Sequence, residues 1–386
     1  MTRATVLKAL CAAIAVLLVA TAPAAAARKV PRGFFGVNTS GDIEVAPASV
    51  QRHMWDRLAS GGAESARILL NWNISEPEPG VFDWSREDSI VEYAAEHGMK
   101  VLATVQFAPR WARQYPDASS SPPKSASDYA DFLRAAIKRY GPHGTFWTLH
   151  PTLPYRPLRE WQIWEEPEIV FEWYRDPYTR KWKPSDARAY VKLLRAASKT
   201  VRATDPGAKV VLASLSIDSW RSLDKLYRWG KMGKLFDVAA LQAFAGDPDF
   251  VPTLLHRFRD VLDHHGRHDA PLYVTEMTWP AAKGKAHPGY TTGYMSGFLT
   301  SQKGAAERLS KAYSMLAAKK LRKRVDLTRV FWFIGASSYT TRNEFEYSGL
   351  LKLSGDKLSP VPAYFAYRKA ARAAEGCSKG TSGNCR

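Results

Sequence analysis

Two short segments hold the residues best suited to acid–base chemistry. Glu165 and Glu166 close an apolar run, REWQIWEEP, and Glu276 closes another, PLYVTEM. A glutamate at the end of an apolar strand is expensive to bury unless it is solvated or paired. Two opposed carboxyl groups in one cleft are what hydrolysis of a glycosidic bond requires. One is protonated and donates to the leaving oxygen; the other is ionised and attacks the sugar or activates water. A structural salt bridge accounts for any single glutamate here, but less well for acids at two strand ends of one sheet. Other chemistry is thinly represented. His264, His265 and His268 lie with Gly266 and Asp269 in a polar connection that reads as a solvated loop. H-E-x-x-H, G-x-S-x-G and P-loop patterns are missing from the sequence. No metal and no cofactor is implied.

The elements that must position these acids alternate along the chain. Strand candidates are Gly33–Asn38, Ser65–Trp72, Lys100–Gln106, Arg159–Trp164, Lys209–Ser214, Phe236–Ala243, Pro271–Thr275 and Arg329–Ile334. Their continuous Val/Ile/Leu content suits parallel strands buried on both faces. Helical spacing is predicted over Ala48–Ala59, Ser89–Glu96, Ser127–Tyr140, Asp186–Ala203, Val251–His264, Gly304–Lys320 and Pro362–Ala374. The pattern is that of an α/β protein, a single-domain (β/α)8 TIM barrel. Gly141–Leu158 and Phe171–Pro184, on either side of the fourth strand, read as enlarged active-face loops. A doubly wound open sheet would want a Gly-rich phosphate loop after its first strand, and the sequence has none there.

Composition narrows the class further. The chain has 386 residues, of which 45% are hydrophobic and 12% aromatic, which excludes disorder. Residues 1–27 combine a basic start (Arg3, Lys8), a short apolar stretch and an Ala-rich end, and are expected to be a signal peptide. No later apolar stretch is long enough to span a bilayer. The expected layout is therefore a signal peptide at 1–27, a catalytic domain at 28–374 and a tail at 375–386, in a secreted monomer. Cys377 and Cys385 in that tail are expected to pair in an oxidising compartment. Lys and Arg number 55 against 37 Asp and Glu, a formal charge of +18. This reads as a solvated basic surface or as attraction to an anionic polysaccharide. Nucleic acid is disfavoured, because the basic residues are scattered and no recognition motif accompanies them.

The same segments carry a family resemblance. WQIWEEP (Trp161–Pro167) resembles the W-x-I-W-N-E-P segment of clan A glycoside hydrolases, and YVTEMTW (Tyr273–Trp279) is similar to their nucleophile segment. ARILLNWNISEPEPGVFDW (Ala66–Trp84), VFWF (Val330–Phe333) and YSGLLKLSGDKLSPVPAYFAY (Tyr347–Tyr367) resemble further stretches of that clan, in order. The cast is nearest to the β-xylosidase and α-L-iduronidase-like family, glycoside hydrolase family 39. The resemblance implies a secreted retaining glycosidase acting on a polysaccharide or oligosaccharide, with Glu166 as acid/base and Glu276 as nucleophile. It further implies that Arg67 lies near the nucleophile and that Trp332 stacks on a sugar. Trp111 is a cleft-wall candidate; Trp161 and Trp279 stand between cleft wall and core. Two positions depart from the pattern. Glu165 replaces an Asn that holds a sugar hydroxyl, and Gln242 and Phe244 replace an H-x-Y pair whose Tyr orients the nucleophile. These departures keep two alternatives open: a catalytically silent carbohydrate-binding protein on this scaffold, or a transglycosylase using the same carboxylates.

Overall fold

The computed structural model describes residues 27–169, 182–216, 218–285, 297–340 and 343–377. Eight parallel strands form one sheet: β1 (Phe35–Asn38), β2 (Ser65–Asn71), β3 (Lys100–Gln106), β4 (Glu160–Ile163), β5 (Lys209–Val211), β6 (Ala239–Gln242), β7 (Leu272–Glu276) and β8 (Leu327–Trp332). Each pairs with its sequence neighbour, and β1 pairs with β8. Bridges Val211↔Val238 and Leu215↔Leu241 join β5 to β6 and bring the sheet round into a barrel. The expected (β/α)8 fold is therefore the one observed.

Period-two alternation fills the barrel in layers. At the amino-terminal end Arg329 pairs with Glu160, which also accepts from the Tyr273 hydroxyl at 3.1 Å. Above them Leu102, Val211, Val238, Ala240, Tyr273 and Phe331 make an apolar plug. Gly36 is required beside it, since a Cβ there would lie 2.4 Å from the Phe331 ring. The next layer is polar. Gln162 accepts from Arg67 Nε and from Thr104, each at 2.8 Å, and donates to Ser214 Oγ at 2.6 Å. Ser214 in turn meets Thr275 Oγ1 at 2.5 Å. Polarity thus rises toward the carboxyl ends of the strands, where barrels of this kind hold their sites.

The helices follow the predicted pattern in the main; a short helix Trp72–Ser75 follows β2, the predicted Ser89–Glu96 helix begins at Ser85, and three larger differences stand out. Ser219–Gly230, after β5, was not expected, although Trp220, Leu223, Leu226 and Tyr227 stand at helical spacing and pack on the core. The predicted Gly304–Lys320 helix is two helices, Gln302–Leu316 and Lys319–Val325. The basic cluster at 319–324 therefore builds a short helix of its own instead of ending a long one. Gly141–Leu158 is not an active-face loop. It runs from the helix Ala126–Tyr140 to the start of β4, and so lies on the amino-terminal rim. There it folds into the short helix Thr145–Leu149, packed through Phe146 and Trp147. The other proposed loop falls largely on residues 170–181, outside the described residues, as do residues 1–26 and Cys385. After β8 a small sheet of Ala336–Ser337, Leu351–Ser354 and Lys357–Pro360 anchors the segment that returns over the barrel mouth. Among the described residues no helix is long and apolar enough to cross a membrane.

Candidate active site

A cavity of about 470 Å³ opens at the carboxyl end of the barrel. Of the residues singled out in the sequence, Arg67, Glu165, Glu166, Gln242, Phe244 and Glu276 all line it.

Two local distortions aim the acids. Leu241 of β6 faces Val274 of β7, but the next pair is Gln242 with Glu276, so β7 carries one extra residue, Thr275. This bulge turns Glu276 level with inward-facing Gln242; bulges beside sites commonly re-aim a side chain in this way. At β4 the strand ends at Ile163, and Trp164 and Glu166 then take positive φ values of 68° and 38°. Adjacent residues of a strand point to opposite faces. With the strand ended and the chain kinked, Glu165 and Glu166 both reach the cavity. The Glu166 amide donates to Ser214 O at 3.0 Å, which fixes this turn to the segment that follows β5.

Arg67 is the hub. It is 3% exposed and donates from Nη1 to Glu276 Oε1 at 2.6 Å and from Nη2 to Glu165 Oε2. Asn38 Nδ2 also reaches Glu276 Oε1, at 3.3 Å. The orientation of Asn38 follows from Ser40, whose amide and hydroxyl both donate to its Oδ1. Both hydrogen bonds to Glu276 thus fall on one oxygen, and Oε2 takes none among the described residues. Burial pushes the Glu276 carboxyl above its usual range; the charge of Arg67 and the two hydrogen bonds pull the other way. Burial likewise lowers Arg67, against the pull of Glu276 and Glu166. Glu165 accepts on both oxygens, from Arg67 and from Gln242 Nε2 at 2.8 Å. Its replacement of the expected Asn therefore puts a second carboxylate on the guanidinium that holds Glu276. Gln242 supports Glu165, not Glu276. Phe244 packs against Phe345 at 5.5 Å and Phe298 at 5.9 Å as part of an aromatic wall.

Two expected contacts need correction. Trp332 is fully buried, donates to Ser348 O at 2.9 Å and packs on Trp279 at 6.2 Å. Alternation explains it: Phe331 fills the barrel interior, so Trp332 points to the helix layer and Phe333 points back into the cavity. Trp111 donates to Glu76 O at 3.1 Å and packs edge-on to Trp72, away from the cavity lining. Trp161 and Trp279 are core residues with no exposure. The histidines are also accounted for: His265 stacks on Tyr227 at 4.1 Å and meets Asp224, while His268 meets Asp263.

Sequence reasoning passed over Asn38, Gln162, Phe107, Phe333 and Phe345. Asn38 and Gln162 had a signal, a polar side chain within or at the end of an apolar strand. Phe107 takes a positive φ of 63° straight after β3, and Phe345 arrives on the segment that returns over the mouth. Neither placement is encoded in a local pattern.

No family model matches the sequence. No curated protein is similar to it at a significant level. Solved structures do match. A family 39 glycoside hydrolase from Bacteroides cellulosilyticus WH2 is 18% identical, with a TM-score of 0.61 over 90% of this chain and 64% of that one. This chain therefore spans less than two thirds of that protein's length. A glucosidase from Croceicoccus marinus is 14% identical, with a TM-score of 0.63 over 90% of this chain and 69% of that one. The β-glucosidase of Thermotoga maritima, solved with deoxynojirimycin, is 12% identical, with a TM-score of 0.62 over 90% and 99% of the two chains. At these identities the likeness establishes the architecture: this chain has the (β/α)8 barrel that these glycoside hydrolases share.

Proposed function

We propose that the protein is a retaining glycoside hydrolase with Glu276 as nucleophile and Glu166 as acid/base. The observation that carries this reading is the state of Glu276: one oxygen is held by Arg67 and Asn38, while the other has no protein donor among the described residues and lies in the cavity that Glu166 also lines. A nucleophile needs such an arrangement, with one lone pair fixed and another available. Glu165 is less suited to donate a proton, because both its oxygens already accept. That task falls to Glu166.

In the first step Glu276 Oε2 attacks the anomeric carbon as the bond to the leaving oxygen breaks, and Glu166 gives its proton to that oxygen. The product is a glycosyl ester on Glu276. Glu166, now ionised, then takes a proton from water, whose oxygen attacks the same carbon and releases Glu276. The two displacements return the original anomeric configuration and leave both carboxyl groups as they began. Such a pair stands about 5–5.5 Å apart. The fold of the structural neighbours supports a carbohydrate substrate. We further read residues 1–27 as a signal peptide and Cys377 and Cys385 as a disulfide of the secreted, monomeric protein, consistent with their sequence context. A panel of aryl α- and β-glycosides, with the first-formed sugar followed by proton NMR, tests the enzymatic reading. Turnover with retained configuration is expected. Inversion would refute the mechanism, and binding without turnover of any glycoside would favour a silent binding protein.

A further inference from the structure

Barrel interiors are filled mainly by branched apolar side chains, yet Gln162 of β4 lies inside this one with no exposure. A buried amide is costly unless its polar atoms are met. Here all four positions are filled. Oε1 accepts from Arg67 Nε and Thr104 Oγ1, each at 2.8 Å. Nε2 donates to Ser214 Oγ at 2.6 Å and to Leu212 O at 3.2 Å. Turning the amide over would set its NH2 group against the N–H of Arg67 and its oxygen against the Leu212 carbonyl. Its orientation is therefore fixed from β2, from β3 and from the segment after β5.

Two arms leave this amide, and both lead to the acids. The first is Arg67. Its guanidinium is a rigid planar fork, so holding Nε aims Nη1 at Glu276 Oε1 and Nη2 at Glu165 Oε2. The second is Ser214. Thr275 donates its hydroxyl to Leu241 O at 3.1 Å, so in the 2.5 Å contact between Ser214 Oγ and Thr275 Oγ1 it is Ser214 that donates. The hydrogen bonds thus run in one direction, from Gln162 to Ser214 to Thr275 to Leu241. Thr275 is the extra residue of the β7 bulge and stands directly before Glu276. Ser214 also accepts the Glu166 amide on its carbonyl oxygen and bridges to Glu165. One buried residue therefore meets both the turn that carries Glu166 and the bulge that carries Glu276.

Building on the reading of Glu166 and Glu276 as the catalytic pair, we propose that Gln162 is a positioning residue, acting through Arg67 and Ser214 to hold the nucleophile bulge and the acid/base turn in register. An apolar side chain of similar size would fill the layer but leave Arg67 Nε without its acceptor and Ser214 Oγ without its donor. The two arms have separable consequences. The charged groups around Glu276 are Arg67 and, on the acid/base turn, Glu165 and Glu166. Glu44, also in the lining, is paired with Arg86, and the Asn38 and Gln242 amides are neutral. Arg67 supplies the positive charge that favours ionised Glu276 against burial. Loosening its fork lets the Glu276 carboxyl rise; loosening Ser214 alone leaves that charge where it is and disturbs only geometry.

The test compares the full chain with its Gln162→Met and Ser214→Ala variants, each checked for fold by circular dichroism. On the aryl glycoside that wild type turns over best, Gln162→Met should lose kcat about 100-fold with KM within about threefold, since a misplacement near 1 Å can cost that much. The acidic limb of its kcat/KM profile, which reports the nucleophile of the free enzyme, should move up by about one pH unit. Ser214→Ala should lose kcat about tenfold with that limb unmoved. Titration of the Glu276 carboxyl carbon by NMR, assigned with Glu276→Gln, reads the same shift without turnover. A folded Gln162→Met protein with an unmoved Glu276 titration would overturn the proposal, whatever its kcat. Should Gln162→Met not fold, wild-type kcat in Ser214→Ala would overturn it instead. A wild-type protein without turnover on any glycoside would sink the hydrolase reading alone. A raised Glu276 titration in Gln162→Met would then still support the positioning role, and an unmoved one would overturn it.

Discussion

Replacing Arg67 by Met should unsettle the site more than any other single change, and in a pH-dependent way. The guanidinium is 3% exposed and donates to Gln162, Glu165 and Glu276 at once. Met fills much of the volume but leaves two buried carboxylates without a counter-charge. Removing one partner of a buried ion pair typically costs about 3–5 kcal/mol. The sign of the pH dependence follows from Glu276, whose carboxyl burial already raises above the ordinary range even with Arg67 present. Without Arg67 it rises further. A carboxyl with a raised folded-state pKa is penalised only when ionised, so the deficit is absent below the unfolded-state value and grows as pH climbs toward the folded one. Each such carboxyl adds about 1.4 kcal/mol per pH unit in that window. Urea unfolding of wild type and Arg67→Met, near pH 8 and near pH 5, is the assay. The variant should lose about 3–5 kcal/mol at the higher pH and markedly less at the lower. Adding Glu165→Gln should recover part of the loss, because the two positions share one interaction. A loss below about 1 kcal/mol, or one equal at both pH values, would show that Arg67 does not neutralise these acids.

Two further expectations lie outside the acidic cluster. Glu87 is fully buried on the helix Ser85–Glu96, where burial pushes its carboxyl up to about 7, with Glu44 adding to the shift and Arg86 and Ser75 opposing it. Ionising it in the fold is costly, so stability should fall as pH rises from the ordinary carboxylate range to about 7. Glu87→Gln should accordingly stabilise by up to about 3 kcal/mol at pH near 8 and change little near pH 4; equal effects at both would refute this. The two neighbouring aromatics of β8 and its end should separate cleanly: Trp332→Ala should cost about 3–5 kcal/mol of stability, whereas Phe333→Ala should chiefly raise KM. A folded Trp332→Ala protein with raised KM alone would return the sugar platform to Trp332.

The sequence carried the barrel because each strand buries both faces, so apolar runs mark strands without ambiguity, and β3 and the helix Val251–His264 match their predicted bounds. It also carried the acids, since a carboxylate closing such a run must be met by solvent, a cation or a ligand. Side-chain direction at the strand ends was less legible. Trp332 was read as a platform on family likeness, although counting alternation from Phe331 would have chosen Phe333. Glu165 and Glu276 turn inward through a kink at Trp164 and a bulge at Thr275. Both are backbone features set by pairing with β5 and β6, distant in sequence, and no local pattern announces them. The side of the barrel on which Gly141–Leu158 lies needed only chain order: a segment entering a strand is on the amino-terminal rim.

The central claim is that Glu276 forms a covalent bond to the sugar, and chemical rescue tests it most directly. Glu276→Ala should lose turnover by several orders of magnitude on the best aryl glycoside, with its fold intact by circular dichroism. Azide should then enter the vacated space and restore turnover, giving a glycosyl azide of inverted configuration, because one displacement replaces two. Near-wild-type turnover in Glu276→Ala without azide would contradict the assignment of the nucleophile.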